Sequence, residues 1–298
     1  MSLSPGVHSV VVTPFAADES LDEAALRSAI DYYVGSGLAG ILALGVLGEA
    51  DRLADAERER VQRIAIEHVQ GRVQVTVGVS HPATVVAAER ARSAERMGAT
   101  AVMVAPPGGS AAGPPLREHF RRVADGLSIP VVVQDFPSVG GVQLPVDFLV
   151  NLRDILPPGS AIKAEDPPTP AKIGRMREAA PSLRIFGGLG GAALLQELEA
   201  GSDGTMTGFA LPEILVGIVD AHVNGEAERA RRRFEAALPL LVFEAQPVVG
   251  LGVRKEILRR RGAISTATVR QVAPSLDART LEALDALLDP LLQVEASA

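Results

Sequence analysis

The sequence contains no cysteine, no tryptophan and only three lysines among its 298 residues. Without cysteine, disulfides, thiolate catalysis and thiolate metal sites are excluded. Aromatic residues make up only 3% of the chain, which argues against an aromatic platform for nucleobases or sugars. The five histidines are scattered and none shows the His-Glu-x-x-His spacing of a metal site, so we expect no metal.

Charge and hydropathy argue against two further kinds of partner. The net charge is −7 and no tract of Lys and Arg is present, so we expect no nucleic-acid partner. No apolar run approaches the roughly 18 residues that a membrane span needs, so we expect no membrane association. The first residues lack the basic and apolar regions of a signal peptide, and the absence of cysteine is compatible with a cytoplasmic location.

Short β-branched runs alternate with amphipathic segments over the first three-quarters of the chain. Eight strand–helix units recur at a spacing of about 25 residues, as a (β/α)8 TIM barrel requires. A doubly wound open sheet is the alternative, weakened because no Gly-x-Gly-x-x-Gly follows the first strand. We therefore predict a barrel domain over residues 1–225 and a C-terminal helical subdomain over residues 226–298.

Three local details also follow from the pattern. The first strand is predicted at 9–15, and the next helix is predicted to begin with Ser20 as N-cap and Glu23 completing a capping box. Pro290 is predicted to end or kink the last helix. In that helix Leu281, Leu284 and Leu288 recur at helical spacing and should be packed.

Lys163 is one of the three lysines and lies in an apolar run that predicts a buried strand. Unlike arginine, a desolvated lysine gives up its proton and becomes a nucleophile. Its amine can then attack a ketone and form an imine, an electron sink that permits carbon–carbon cleavage or dehydration. That chemistry requires no cofactor, and we expect none. The alternative is a structural ion pair with Glu165 or Asp166.

The other candidate residues follow from the rule that barrel active sites lie at the C-terminal ends of the strands. Glu49 is a candidate general base, although a Glu after a strand often caps the next segment. The glycines after strand seven either bind an anion through backbone N–H groups or form a simple tight turn. Besides Lys163 and Glu49, the candidates are Gly45, Val46, Leu47, Gly48, Gln134, Asp135, Gly188, Met206 and Thr207.

Four segments at predicted strand ends together resemble the dihydrodipicolinate synthase / N-acetylneuraminate lyase family. They are Thr13-Pro14-Phe15, the Gly45-x-x-Gly48-Glu49 turn, Asp135-Phe136-Pro137 and Ile162-Lys163. The resemblance covers nearly the whole chain and implies a barrel with a C-terminal helical domain. It also implies a homo-oligomer, a tetramer or a dimer, and Lys163 as the Schiff-base residue for a 2-oxo acid.

The chain departs from the family pattern at several site positions. The family usually has Thr or Ser where Val46 and Leu47 stand, and there the hydroxyls bind the substrate carboxylate. Gln134 stands where the family has a tyrosine proton relay. Val139 replaces an arginine that the synthase branch uses for its second substrate. Backbone groups of Gly45–Gly48 would then have to hold the carboxylate.

Three functional hypotheses follow. The first is a class I lyase, either an aldolase or a dehydratase of a deoxy-keto sugar acid. In it Lys163 forms the imine, Asp135, Glu49, Thr207 or a water moves protons, and Gln134 orients that water. The second is the authentic 4-hydroxy-tetrahydrodipicolinate synthase, and the third is a non-catalytic 2-oxo acid binder. Losing a positioned acid–base group costs about 10²–10⁴-fold in rate, which weighs against the second.

Overall fold

The computed structural model describes residues 2–270 and 272–296, so the outermost residues of both predicted domains lie outside the described part. Eight strands alternate with helices along the described chain. The strands are β1 (Gly6–Val10), β2 (Gly40–Ala43), β3 (Gln74–Gly78), β4 (Ala101–Val104), β5 (Val131–Asp135), β6 (Ala161–Ala164), β7 (Arg184–Phe186) and β8 (Gly204–Thr207).

The helices follow the strands one by one, and the last three form the C-terminal subdomain. They are α1 (Glu23–Gly35), α2 (Asp55–Val69), α3 (Thr84–Met97), α4 (Pro114–Ala124), the single turn α5 (Pro137–Gly140), α6 (Val146–Asn151), α7 (Thr169–Ala179), α8 (Leu194–Glu199), α9 (Pro212–Val223), α10 (Ala227–Glu244), α11 (Gly250–Arg260) and α12 (Ala278–Ala296). Short 3₁₀ turns occupy Val46–Gly48, Ala50–Arg52, Leu152–Asp154 and Leu189–Gly191. None of the described helices is both long and apolar enough to span a membrane.

The eight strands are parallel and form one sheet that closes on itself. Each strand pairs with its neighbours in sequence, and β1 also pairs with β8. A parallel bridge between Gly187 and Thr205 joins β7 to β8. This is the (β/α)8 TIM barrel predicted from the alternation of strand and helix patterns.

Side chains that alternate along the strands fill the barrel interior. An apolar cluster contains Val10, Leu42, Met103, Val132, Phe186 and Met206, each from a different strand. Because successive strand residues point to opposite faces, residues two positions beyond these also point inward. Gln134 lies two positions beyond Val132, and Lys163 lies two beyond Ala161 of the same cluster; the two are register partners on β5 and β6. The fold therefore places both at the C-terminal mouth of the barrel.

The C-terminal helices pack on the barrel. Helix α10 lies against α9, and the predicted boundary at residues 225 and 226 falls in the turn between them. Leu284, Leu288 and Leu291 of α12 are buried, and α12 contacts α10. The packing predicted for the leucine stripe is confirmed for Leu284 and Leu288, while Leu281 is half-buried.

The N-cap of α1 was predicted incorrectly, and of the two effects predicted for Pro290 the helix end does not occur. Asp22, not Ser20, is the N-cap of α1, and its carboxylate accepts the Ala25 N–H at 2.9 Å. The Ser20 hydroxyl donates to Asp18 instead. Helix α12 does not end at Pro290 but continues to Ala296.

The first strand begins earlier than its apolar run indicates. It occupies Gly6–Val10 rather than 9–15, because residues 13–15 leave the sheet. Phe15 instead bridges to Leu21.

Candidate active site

Lys163 is held inside the barrel mouth against a carboxylate. Its side chain is only 5% exposed, and its Nζ lies 3.0 Å from Oε2 of Glu165, which is equally buried. Lys163 is on β6 and Glu165 is the first residue after it, and positions two apart on an extended chain point to the same face. A lysine amine beside a buried carboxylate has a partner to which its proton can pass, and the neutral amine is the nucleophilic form.

Gln134 connects Glu165 to the neighbouring strand. Its Nε2 donates to Oε2 of Glu165 at 2.7 Å, and the backbone N–H of Leu189 donates to Oε1 at 3.3 Å. The Glu165 carboxylate is thus fixed from β5, β6 and the turn after β7. From the sequence, Glu165 is expected beside Lys163 at the barrel mouth, as an ion-pair partner without a catalytic role. The two-residue spacing on a buried strand was the signal that it belongs to the site.

A second buried carboxyl lies behind the turn after β7. Glu197 of α8 is fully buried, and its Oε1 accepts the Thr169 hydroxyl at 2.5 Å. Burial raises the pKa of Glu197 to about 7, with a smaller contribution from the charge of Glu165. A Cβ at Gly187 would overlap this carboxylate, and one at Gly188 would lie 2.5 Å from Cγ of Glu165. Only glycines allow both carboxyls to approach this turn.

A cavity of about 650 Å³ opens over the C-terminal ends of β2 to β5. Gln134 lines it, so the cavity reaches the residue that holds Glu165. Its size is within the range of small-molecule binding sites. Val46 and Val139 lie on its rim and are 44% and 60% exposed. Below them Leu47 packs against the apolar interior of the barrel.

The predicted glycine turn lies at this cavity. Gly45, Val46 and Leu47 all line the cavity, and Val46–Gly48 form a 3₁₀ turn. The N–H groups of Gly48 and Glu49 are already bonded to Gly45 and Val46.

Glu49 is not brought to Lys163. It is fully buried, its Oε1 accepts Lys255 Nζ at 2.8 Å, and its Oε2 accepts the Arg270 N–H at 2.8 Å. Lys255 also donates to the Thr13 carbonyl at 2.9 Å. This geometry supports a brace between the β2 turn and the C-terminal helices rather than a general base.

Asp135 points away from the barrel interior. Its register partner is Ala164, and both face the helical layer because their neighbours Gln134 and Lys163 face inward. Lys172 Nζ lies 2.6 Å from Oδ2 of Asp135 but without the alignment of a hydrogen bond, and it donates properly to Asp166. Burial raises the pKa of Asp135 to about 6, with the Lys172 charge opposing. Direct proton transfer at Lys163 is not open to it.

Two residues of β8 are likewise displaced from the reacting region. Met206 belongs to the apolar cluster inside the barrel, and Thr207 faces the opposite side of the strand. Gly188, by contrast, contacts the site through Glu165. In the part of the chain that the structure describes, no group of three His, Asp or Glu side chains could hold a metal ion.

Sequence comparison identifies relatives of this chain. A model of the dihydrodipicolinate synthetase family matches residues 3–290. An L-2-keto-3-deoxyarabonate dehydratase from Azospirillum brasilense is 33% identical, over 96% of this chain and 95% of that protein. A 4-hydroxy-tetrahydrodipicolinate synthase from Acidobacterium capsulatum is 35% identical, over 89% of this chain and 88% of that protein.

Solved structures agree with the sequence matches. A dihydrodipicolinate synthase from Rhodopseudomonas palustris superimposes with a TM-score of 0.90 at 34% identity, covering 97% of this chain and 99% of that one. YagE from E. coli K12, a family member solved in complex with pyruvate, gives a TM-score of 0.89 at 26% identity, covering 98% and 99%. The family match, the relatives and the shared fold together show that this chain is a lyase of the dihydrodipicolinate synthetase family.

Proposed function

We propose that this lyase dehydrates a 2-keto-3-deoxy sugar acid through a Schiff base on Lys163. The observation that carries the proposal is the buried contact between Lys163 and Glu165, with Gln134 holding the carboxylate. This arrangement supplies a nucleophile on β6 and a base one residue after the end of that strand. The cavity that reaches Gln134 provides room for a substrate.

The steps follow from the positions of these groups. Glu165 accepts a proton from Lys163, and the neutral amine attacks the C2 carbonyl carbon of the acid. Glu165 returns this proton to the C2 oxygen, which leaves as water, and the resulting iminium acidifies the C3 hydrogens. The Glu165 carboxylate then removes one of them to give an enamine, and the same proton passes through a water to the C4 hydroxyl, which leaves as water. Hydrolysis of the imine then releases the product and regenerates Lys163.

Dehydration suits this site better than aldol cleavage. Cleavage of the C3–C4 bond needs a base at the C4 hydroxyl, and the position of the family's tyrosine relay holds Gln134, which cannot ionise. A carboxylate that contacts the lysine Nζ lies near C2 and C3 instead. The Azospirillum relative, matched over almost the full length, is named as a dehydratase of a keto-deoxy sugar acid.

The second candidate is condensation of pyruvate with aspartate semialdehyde, the synthase reaction. The Acidobacterium relative with 35% identity is the observation in its favour. Against it stand Val139, an exposed apolar residue where the synthase branch has an arginine, and Gln134 in the relay position.

Turnover assays distinguish the two candidates. We expect the wild-type enzyme to consume 2-keto-3-deoxy-L-arabonate or a related sugar acid, with release of water and no pyruvate. We expect Glu165→Gln to lower kcat by about 10²–10⁴-fold. Glu178→Gln, an exposed change on α7, is the matched control and should leave kcat unchanged. Formation of pyruvate would show that the reaction is aldol cleavage and not dehydration. Condensation of pyruvate with aspartate semialdehyde in a coupled assay would establish the synthase reaction.

We also propose that the chain assembles as a homo-oligomer, a tetramer or a dimer, as the family resemblance implies. The exposed rim residues Val46 and Val139 are compatible with coverage by another subunit. Light scattering coupled to gel filtration should give a mass of two or four chains of 31.1 kDa. A single-chain mass at micromolar concentration would contradict the proposal.

A further inference from the structure

The part of the cavity wall formed by α2, α3 and the turn after β2 carries more positive than negative charge. Among the lining side chains are Arg52, Arg58 and Arg90 but a single carboxylate, Asp51. Asp51 already pairs with Arg52 at 2.8 Å. The remaining two arginines come from α2 and α3 and lie beside the ends of β2 and β3.

Arg58 has neutral hydrogen-bond partners. Its guanidinium donates to the carbonyls of Ala50 at 2.7 Å and Gly78 at 3.2 Å, and no carboxylate forms an ion pair with it in the described part of the chain. Burial lowers the pKa of Arg58 to about 10, and the nearby charge of Arg90 lowers it further. A partly buried cation without a counter-ion is stabilised by any anion that enters the cavity.

Arg90 adds a second cation to the same wall. It donates to the Ser80 carbonyl at 3.0 Å and to the Asp55 carboxylate at 3.2 Å. The Asp55 side chain is 92% exposed, so that pair is screened by water. The charge of Arg90 therefore acts against that of Arg58, and Asp55 and Asp51 offset it only at a distance, since neither forms an ion pair with Arg58 in the described part of the chain.

We propose that Arg58 and Arg90 bind a second anionic group at the far end of the substrate, a carboxylate or a phosphate ester. The inference rests on the proposed function, because that function places the 2-oxo acid end of the substrate at Lys163. The C1 carboxylate adjoins the carbon that Lys163 attacks, and Lys163 is not a lining residue of the cavity. Gln134, which lines the cavity, holds the carboxylate that contacts Lys163, so the 2-oxo acid end is assigned to that side and the tail to the arginines. Planar guanidinium groups match both carboxylate and phosphate oxygens.

Matched acid pairs test this assignment. Borohydride trapping on Lys163 would be titrated with 2-oxoglutarate against 2-oxopentanoate, and with 2-keto-3-deoxy-6-phosphogluconate against 2-keto-3-deoxygluconate. In at least one pair, we expect the acid with the second anionic group to half-saturate trapping at a concentration at least about tenfold lower than the acid without it. The pair that shows the preference identifies the tail as carboxylate or phosphate.

Variants connect that preference to the arginines. Arg90→Gln and Arg58→Gln should each reduce the preference for the acid with the second anionic group severalfold, while pyruvate is still trapped on Lys163. Arg63→Gln removes one charge from the exposed face of α2 and should retain the preference. If the acids with and without a second anionic group saturated trapping at equal concentrations, with pyruvate still trapped on Lys163, this inference would be overturned and the proposed function left intact. Failure to trap any of these acids in a folded sample would overturn both.

Discussion

At the scale of single residues, the site depends on how closely Glu165 is held. Three groups fix its carboxylate, namely Lys163, Gln134 and the Leu189 N–H. The turn after β7 leaves space for it only because position 188 is a glycine. A small change at that glycine should therefore alter catalysis without removing any functional group.

Replacing Gly188 by alanine tests this dependence. The new Cβ would lie 2.5 Å from Cγ and 2.6 Å from Oε1 of Glu165, which forces the carboxylate away from Lys163. We expect kcat to fall by at least about 10²-fold, since misplacing a reacting group by an ångström has that effect. Gly174→Ala on α7, where a Cβ would meet no atom within 4 Å, is the control and should retain full activity. Equal activity of both variants would contradict the geometry.

Residue-scale prediction from sequence succeeded where the signal was local. Lys163 stands out because lysine is scarce and its strand is apolar, and the structure does bury it. The two-residue spacing to Glu165 was an equally local signal that went unused. For Glu49 the sequence left a general base and a structural role open, because its partner Lys255 lies 206 positions away and no local pattern reveals such a pair.

At the scale of elements, buried charges join parts of the chain that are remote in sequence. Lys255 of α11 is fully buried and donates to Glu49 and to the carbonyls of Thr13 and Thr268. It therefore ties the turns after β1 and β2 to the C-terminal helices. Breaking such a pair leaves an uncompensated charge in the interior.

Lys255→Met should lower the free energy of unfolding by about 3–5 kcal/mol, because Glu49 loses its buried cation. Arg63→Met breaks an exposed pair with Glu59 and should cost less than about 1 kcal/mol. Urea denaturation of both variants measures the difference. If the two variants lost similar stability, the brace assigned to Lys255 and Glu49 would be refuted.

Helix α8 gives the protein a pH-dependent stability through Glu197. The folded-state pKa of about 7 lies above the ordinary value of 4.5, so the folded protein binds more protons than the unfolded chain between these values. Stability is consequently lost as the pH rises through this window. Glu197→Gln removes the titration, and its unfolding free energy should gain up to about 3 kcal/mol relative to wild type between pH 5 and pH 8. Parallel stability curves for the two proteins would contradict the prediction.

At the scale of the whole molecule, the sequence was sufficient to predict the architecture. The repeated change from apolar strand to amphipathic helix identifies a barrel because each unit is specified locally. Strand ends were less certain, as β1 shows, since an apolar run continues beyond the residues that pair. The full wall of the cavity was not predictable, because it adds side chains from α2 and α3 to the predicted residues at the ends of the strands.

The helical subdomain should unfold together with the barrel. Besides Lys255, a buried pair of Arg254 and Glu244 links α10 to α11, and Glu244 also accepts the Ala210 N–H from the barrel at 3.1 Å. We expect the barrel and the helices to unfold in a single calorimetric transition, whose van't Hoff and calorimetric enthalpies agree. Two resolved transitions would show that residues 226–298 form an independent domain.

The most direct test of the central claim is borohydride reduction of the protein with 2-oxo acids, read by intact and peptide mass. The account predicts one reduced adduct per chain, located on the peptide that contains Lys163, and none in Lys163→Arg. Lys172→Arg is the matched control and should still be labelled. An adduct on Lys172 or Lys255, or no adduct with any 2-oxo acid in a folded sample, would contradict Schiff-base catalysis by Lys163.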